Sequence, residues 1–256
     1  MAGRRPLAPN PAGAHFLRDR ALIAQLARAS GAGDGRLVLD LGAGHGAITA
    51  GLAATGARVI AVERDHRLAD RLRRRFDDQP QVRVVESDLR LVPLPRRDFL
   101  VVASPPFSLT TALCRRLLGD PAVRLAGAEL VIGWGAAKWL ASPRPRDAET
   151  AWWAARYQIR LAQTVSAASF VPPPGTDAAR LSVRPREIAA SRAGQRLLRS
   201  LLRAAYRHPS TRADRMLAET GFGSRKLLIR AGIGPGAPVA EVTAEQWHRL
   251  AVMLSS

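Results

Sequence analysis

The run Leu37-Val38-Leu39-Asp40-Leu41 passes directly into Gly42-Ala43-Gly44-His45-Gly46, and no other segment constrains the fold as much. A short apolar run has the pattern of a buried strand. A turn rich in glycine lets the backbone bend tightly and come close to a ligand. Residues 46–54 then read as a helix, so the segment is a strand–turn–helix unit of the kind that opens a doubly wound α/β sheet. Further apolar runs at Arg58–Val62, Val82–Val85, Phe99–Ala103 and Glu129–Ile132 alternate with helical stretches near 65–76 and 108–118. This alternation predicts a largely parallel sheet with ligand sites at the carboxyl ends of its strands.

Composition narrows the class. A chain of 256 residues, 47% of them hydrophobic, can build one good core with a small appendage. It has no apolar run of about 18 residues, so no membrane span is expected. The N-terminal run Met1-Ala2-Gly3-Arg4-Arg5-Pro6 lacks the apolar stretch of a secretory signal, and a cytoplasmic location is the expectation. Cys114 is the only cysteine, which excludes a disulfide framework and a cysteine metal site, and no metal is expected. The net charge of +18 comes almost entirely from arginine, since lysine occurs only at Lys138 and Lys226. Coding bias accounts for arginine over lysine more readily than for the excess itself. Such an excess attracts phosphate backbones. Two tyrosines and six phenylalanines are too few for a broad aromatic platform under a single strand.

Residues 1–18 read as an irregular arm, and Asp19 as the cap of a helix running to about Ala29. Strands are expected at Tyr157–Ala162 and Arg180–Val183, separated by the stiff run Phe170-Val171-Pro172-Pro173-Pro174. Helices without strands follow from about Pro185, so the chain divides into 1–184 and a small helical domain, 185–256. In that second part Arg192, Arg196, Arg199, Arg203 and Arg207 recur at steps of three and four, which places them on one helical face. Leu197, Leu198, Leu201 and Leu202 fall opposite. An ordinary solvated helix face mixes signs, whereas no acid interrupts this one, so a phosphate-tracking stripe is favoured.

The glycines at 42, 44 and 46 follow G-x-G-x-G rather than the dinucleotide pattern G-x-G-x-x-G. This favours S-adenosylmethionine, a methyl donor without a pyrophosphate, over NAD. Glu63 ends the second strand, 23 residues after Asp40, where a carboxylate can accept both ribose hydroxyl protons. Asp88 follows the third strand, placed to accept from an adenine amine. Ser104-Pro105-Pro106-Phe107 closes the fourth. A base amine is a poor nucleophile because its lone pair is delocalised into the ring. The Ser104 hydroxyl and a proline carbonyl, here Pro105, can accept its N–H groups, and Phe107 offers a stacking face.

With these residues the chain resembles the Erm family of ribosomal RNA adenine N6-methyltransferases and their relatives, the small-subunit rRNA adenine dimethylases. The resemblance runs from His15-Phe16-Leu17-Arg18-Asp19 through the glycine loop, Glu63, Asp88 and the Pro-Pro-Phe loop. It continues through Phe170–Pro174 with Asp177 to Thr243-Ala244-Glu245-Gln246-Trp247, and the last run looks actinobacterial. It implies S-adenosylmethionine contacts at His15, Leu17, Gly42, Glu63, Asp88 and Ser104, with Asp40 and Gly44 in the same loop. The implied substrate is 23S rRNA before the large subunit is fully assembled, acted on by a monomer. Resistance to macrolide, lincosamide and streptogramin B antibiotics would follow. Small-subunit rRNA as the target, and an RNA-binding or assembly protein with little turnover, are the alternatives. Ala14 stands where the family usually has Gln, Asp40 where Glu is commoner, and Ser104 where Asn is usual. A hydroxyl still accepts a hydrogen bond but is shorter than an amide, so altered activity such as monomethylation is expected.

Overall fold

The computed structural model describes residues 14–187, 190–220 and 225–255. Residues 1–13 of the expected N-terminal arm lie outside these. Strand β1 (Phe16–Leu17) precedes helix α1 (Arg20–Ser30), whose Asp19 side chain accepts from the Leu22 N–H at 3.0 Å and whose end is turned by Gly31 in the left-handed region. Then come β2 (Leu37–Leu41), α2 (Ala47–Ala53), β3 (Arg58–Glu63), α3 (His66–Arg75), β4 (Val82–Glu86) and β5 (Phe99–Ala103). Next are α4 (Thr110–Leu118), β6 (Leu125–Gly133), α5 (Trp134–Leu140), α6 (Ala148–Arg156), β7 (Tyr157–Val165), β8 (Phe170–Val171) and β9 (Ala178–Pro185). The chain closes with α7 (Arg192–Ala205), α8 (Ala213–Thr220), α9 (Arg225–Ala231) and α10 (Ala244–Met253). Among the described residues no helix is long and apolar enough to cross a membrane.

Seven strands form one sheet in the order β4-β3-β2-β5-β6-β9-β7, with parallel pairing from β4 through β6. Every residue of β2 and β5 is buried, as central strands of a parallel sheet require. The order reverses direction between β2 and β5, and the crevice at such a switch point is where doubly wound sheets bind ligands. β9 enters between β6 and β7. There Glu129 of β6, 1% exposed, takes hydrogen bonds from Arg180 (3.1 Å) and Ser182 (2.9 Å) of β9. A buried carboxylate needs such partners, so the pair pins the register of the inserted strand. β1 and β8 make a separate two-stranded antiparallel sheet, Phe16 opposite Val171 and Leu17 opposite Phe170.

Backbone contacts divide the chain into two compact units. One runs through Ala137 and includes Leu161–Ser182; the other joins Lys138–Arg160 to the chain from Val183 onward. A cut at 184/185 assigns 138–160 to the sheet, but these residues group with the C-terminal helices. The reason is α6, whose buried face packs on α7 and α10. Trp153 is 1% exposed, and Arg199 of α7 lies 5.7 Å from the Trp152 ring. Trp247 of α10 is fully buried and donates its indole N–H to the Tyr206 hydroxyl, which donates to the Pro145 carbonyl.

On α7, Leu198, Leu201 and Leu202 are buried, while Arg192, Arg196, Arg199 and Arg203 are exposed. Arg207 departs from the expected stripe. The helix ends at Ala205, and Arg207 lies in the following turn with its N–H bonded to the Ala204 carbonyl.

Candidate active site

The glycine loop leaves β2 beside the end of β3, and the N–H groups of Gly42 and Ala43 both donate to the Val62 carbonyl, at 2.9 and 3.0 Å. Two of its glycines admit no side chain. Gly44 sits at φ +55°, and a Cβ there would come 2.8 Å from the Phe16 ring. Gly46 sits at φ +78°, and a Cβ would come 2.6 Å from a methyl of Leu72 on α3. Both conformation and space therefore exclude a side chain.

Glu63, at the end of β3, holds this arrangement. One carboxylate oxygen accepts the Gly44 N–H at 2.8 Å, and the other accepts the N–H groups of Arg64 and Asp65, each at 2.9 Å. A carboxylate held by three backbone donors is rigid, it keeps acceptor capacity on the oxygen that takes a single N–H, and it fixes the loop relative to the start of α3.

A cavity of about 220 Å³ opens beside it, lined by His15, Gly42, Glu63, Asp88, Ser104 and Pro106 among others. Its apolar walls are Val62, Leu68, Leu89 and Leu109. A smaller pocket of about 30 Å³ shares His15, Gly42 and Ser104 and adds Leu17. The donor set suits an adenosyl methyl donor. Carboxylates stand at the ends of neighbouring strands for ribose and base, apolar faces lie between them for the purine, and bare backbone at Gly42 allows close approach.

Asp88 is gripped by its own loop. Arg90 donates through Nε to one oxygen (3.0 Å) and through Nη2 to the other (2.6 Å), and its backbone N–H adds a third bond. These bonds bring the Asp88 carboxyl down to about 2, so it is an acceptor at any physiological pH. The loop itself is tied to α4, because Arg116 donates to the Leu89 carbonyl (3.2 Å) and the Val92 carbonyl. Arg116 thus joins the loop bearing Asp88 to the helix that follows Ser104–Phe107.

In that second loop the Ser104 hydroxyl oxygen is buried without a hydrogen-bond partner at the cavity wall. Pro105 is buried and lines neither pocket, while Pro106 faces the larger one. Phe107 lines neither pocket. Its ring lies 5.9 Å from the His15 ring and edge-on to Phe170 at 6.2 Å. His15 is held in turn, its Nδ1–H donating to the Pro172 carbonyl at 2.9 Å.

Two expected cofactor residues stand elsewhere. Asp40 is fully buried and lines neither pocket; one oxygen accepts the Thr49 hydroxyl at 2.6 Å and the other has no partner. It therefore links β2 to α2 under the glycine loop. Gly44 also stays off the cavity wall, contributing through its N–H to Glu63. Arg64, Asp65, Leu68, Arg90, Leu109 and Arg116 escaped sequence reasoning. Arg90, two residues past Asp88, carried the only readable signal. His66, Asp70 and Glu86 also gather near the β3 and β4 ends. Arg73 bonds both carboxylates, at 2.6 and 3.0 Å, which supplies the positive charge a cation would otherwise bring.

A sheet in this order, with an acid-lined cavity at its switch point, defines an S-adenosylmethionine-dependent methyltransferase. The chain belongs to the ribosomal RNA adenine dimethylase family, whose model matches residues 10–256. Its class is rRNA adenine N6-methyltransferase. It is 29% identical over 203 residues to an rRNA adenine N-6-methyltransferase of Bacillus licheniformis, covering 79% of this chain and 71% of the relative. It is 30% identical over 260 residues to ribosomal RNA small subunit methyltransferase A of Thermosynechococcus vestitus, covering 94% and 95%. The crystal structure of the 23S rRNA methyltransferase ErmE superposes with a TM-score of 0.80 at 27% identity, covering 94% of this chain and all of that one.

Burial pushes the Asp40 carboxyl up to about 7, with the nearby Glu63 adding to the rise and the Thr49 hydrogen bond opposing it. The folded protein therefore holds a proton that the unfolded chain has lost between about pH 4 and pH 7. Stability falls as pH rises through that window, by up to about 1.4 kcal/mol per pH unit from this group. We predict that Asp40→Asn removes this component. In urea denaturation, the stability of the variant relative to the parent should rise from pH 4.5 to 7 and then level off. A gap independent of pH would contradict the assignment.

Proposed function

We propose that this enzyme methylates the N6 amine of an adenine in 23S rRNA, and that the methylated ribosome resists macrolide, lincosamide and streptogramin B antibiotics. Bound S-adenosylmethionine supplies a methyl group on a sulfonium, already activated toward attack. Glu63 accepts the ribose hydroxyls, Asp88 accepts the cofactor's adenine amine, and His15, Leu17 and Gly42 line the remainder of that pocket. Gly44 serves by tying the loop to Glu63. Arg90 keeps Asp88 charged, so it can only accept hydrogen bonds.

The observation that carries the base-amine reading is the Ser104 hydroxyl, buried at the cavity wall with no partner. A buried polar atom is costly unless a ligand satisfies it. A target amine donating to Ser104 and to the Pro105 carbonyl would satisfy it and localise the amine lone pair toward the methyl group. Phe107 then holds the base by stacking. In this reading the sheet unit forms the catalytic part, and the C-terminal helices, with residues 138–160 grouped among them, form the basic helical RNA-binding part. Arg192, Arg196, Arg199 and Arg203, with Arg207 beyond the helix, would follow the phosphates. The enzyme would act in the cytoplasm as a monomer, on rRNA not yet packed into a finished subunit.

Likeness to ErmE over that protein's whole length supports 23S rRNA as the target. A second reading, small-subunit rRNA, is favoured by the relative from T. vestitus that spans nearly the full chain. Incubation with labelled S-adenosylmethionine and protein-free 23S or 16S rRNA, followed by mapping of the modified base, separates them. Label on a 23S adenine is expected; label on 16S alone would transfer the proposal to the second reading.

Ser104→Asn should raise the share of dimethylated over monomethylated adenine in that assay, since the longer amide reaches further toward the amine. An unchanged ratio would place the limit elsewhere. For the arginine stripe, Arg196→Gln with Arg203→Gln should reduce the salt slope of RNA binding by about one to two units. An unaltered slope would mean that the face is merely solvated.

A further inference from the structure

The turn that presents Asp88 is rigid within itself. The N–H groups of Leu91 and Val92 both donate to the Asp88 carbonyl, at 2.9 and 3.0 Å, and Arg90 makes three further bonds to the Asp88 carboxylate. What matters for the cavity is where this turn is anchored. At its leading end the Ser87 N–H donates to the Glu63 carbonyl at 2.9 Å, which extends the pairing of β3 with β4. Beyond that point the turn has left the sheet, and there the carbonyls of Leu89 and Val92 both accept from one guanidinium, that of Arg116. Arg116 stands on α4, which begins directly after Leu109. The Leu109 N–H donates to the Pro106 carbonyl at 2.8 Å and the Thr110 hydroxyl to the Phe107 carbonyl at 2.9 Å, so the helix is continuous with the loop before it. Asp88 and Leu89 line the cavity, as do Pro106 and Leu109. The guanidinium thus ties the helix that follows one part of the wall to the backbone of another.

Arg116 is partly buried, and its Nε–H has no hydrogen-bond partner. Burial lowers its pKa, and the charge of Asp88 opposes that fall. An apolar side chain of similar volume often serves stability as well as a buried charge, whereas a planar fork is suited to reaching two carbonyls at once. We propose that Arg116 is a positioning residue for the cofactor: by holding the Leu89 and Val92 carbonyls it fixes the Asp88 turn relative to the wall formed by Pro106 and Leu109, and so sets the space that the adenine ring enters. The proposal rests on the assignment of Asp88 to that ring and adds to it the group that keeps the turn in place.

The test measures binding of S-adenosylmethionine to the full chain by calorimetry, with no RNA present. Asp88→Asn and Arg116→Met should each raise Kd about tenfold, and the double variant should fall well short of the roughly hundredfold product, because both act through one turn. Arg116→Lys, which keeps the charge and a donor for one carbonyl, should lie between the parent and the methionine variant. In the cofactor-free protein the amides of Leu91 and Val92 should exchange faster in Arg116→Met, while those of β2 and β5 keep the parent's protection. The lysine variant carries both measurements where the methionine variant does not fold. A parental Kd in Arg116→Met, or a double variant that reaches the full product, would overturn the proposal alone. Faster exchange throughout the sheet would mark Arg116 as merely structural and overturn it too. An Asp88→Asn variant that binds as tightly as the parent would instead overturn the assignment of Asp88, and the proposal with it.

Discussion

The carboxylate of Glu63 is the constraint around which the site is organised. Its two oxygens take three backbone N–H groups, from Gly44, Arg64 and Asp65. The first ties down the glycine loop after β2; the other two order the turn that begins α3. Charge-assisted bonds of this kind are short and directional, so a single side chain sets the shape of the crevice before any ligand arrives. The switch-point topology supplies the crevice, and Glu63 gives it walls.

The two halves of the chemistry meet because β2 and β5 are adjacent in the sheet although 57 residues lie between the two strands in sequence. The loop after β2 and the loop after β5 therefore open onto one cavity. Arg116 adds a mechanical link, since it reaches from α4 to the carbonyls of Leu89 and Val92 in the loop that presents Asp88. Preorganisation of this sort lets positioning and electrostatics do the catalytic work expected of an enzyme whose methyl group is already activated.

Much of the sheet was legible because its strands are buried on both faces and so appear as continuous apolar runs; β2 and β5 match their expected limits. The same property hid what depended on neighbours. Asp40 stands within such a run, and its type and place pointed to the cofactor, yet the fold turns it inward to Thr49. Arg207 continued a faultless helical period, but α7 ends at Ala205, where periodicity is silent about termination. α6 looked like part of the sheet region, and only its buried tryptophans, packed among α7 and α10, show which unit claims it.

The amino-acid sequence alone determined the kind of protein this is: the strand–glycine–helix unit, the acids at strand ends, Ser104–Phe107, and an arginine excess suited to nucleic acid. These are local patterns, and local patterns follow from backbone preference and burial. Tertiary structure decided which of those residues face the cavity. Glu63, Asp88 and Ser104 do, whereas Asp40, Gly44 and Phe107 stand behind or beside it. It also brought Arg116 of α4 onto the loop that carries Asp88. The glycine loop is thus less a surface for the ligand than a spacer that Glu63 holds open. That distinction depends on hydrogen bonds between residues distant in sequence, which no periodicity records.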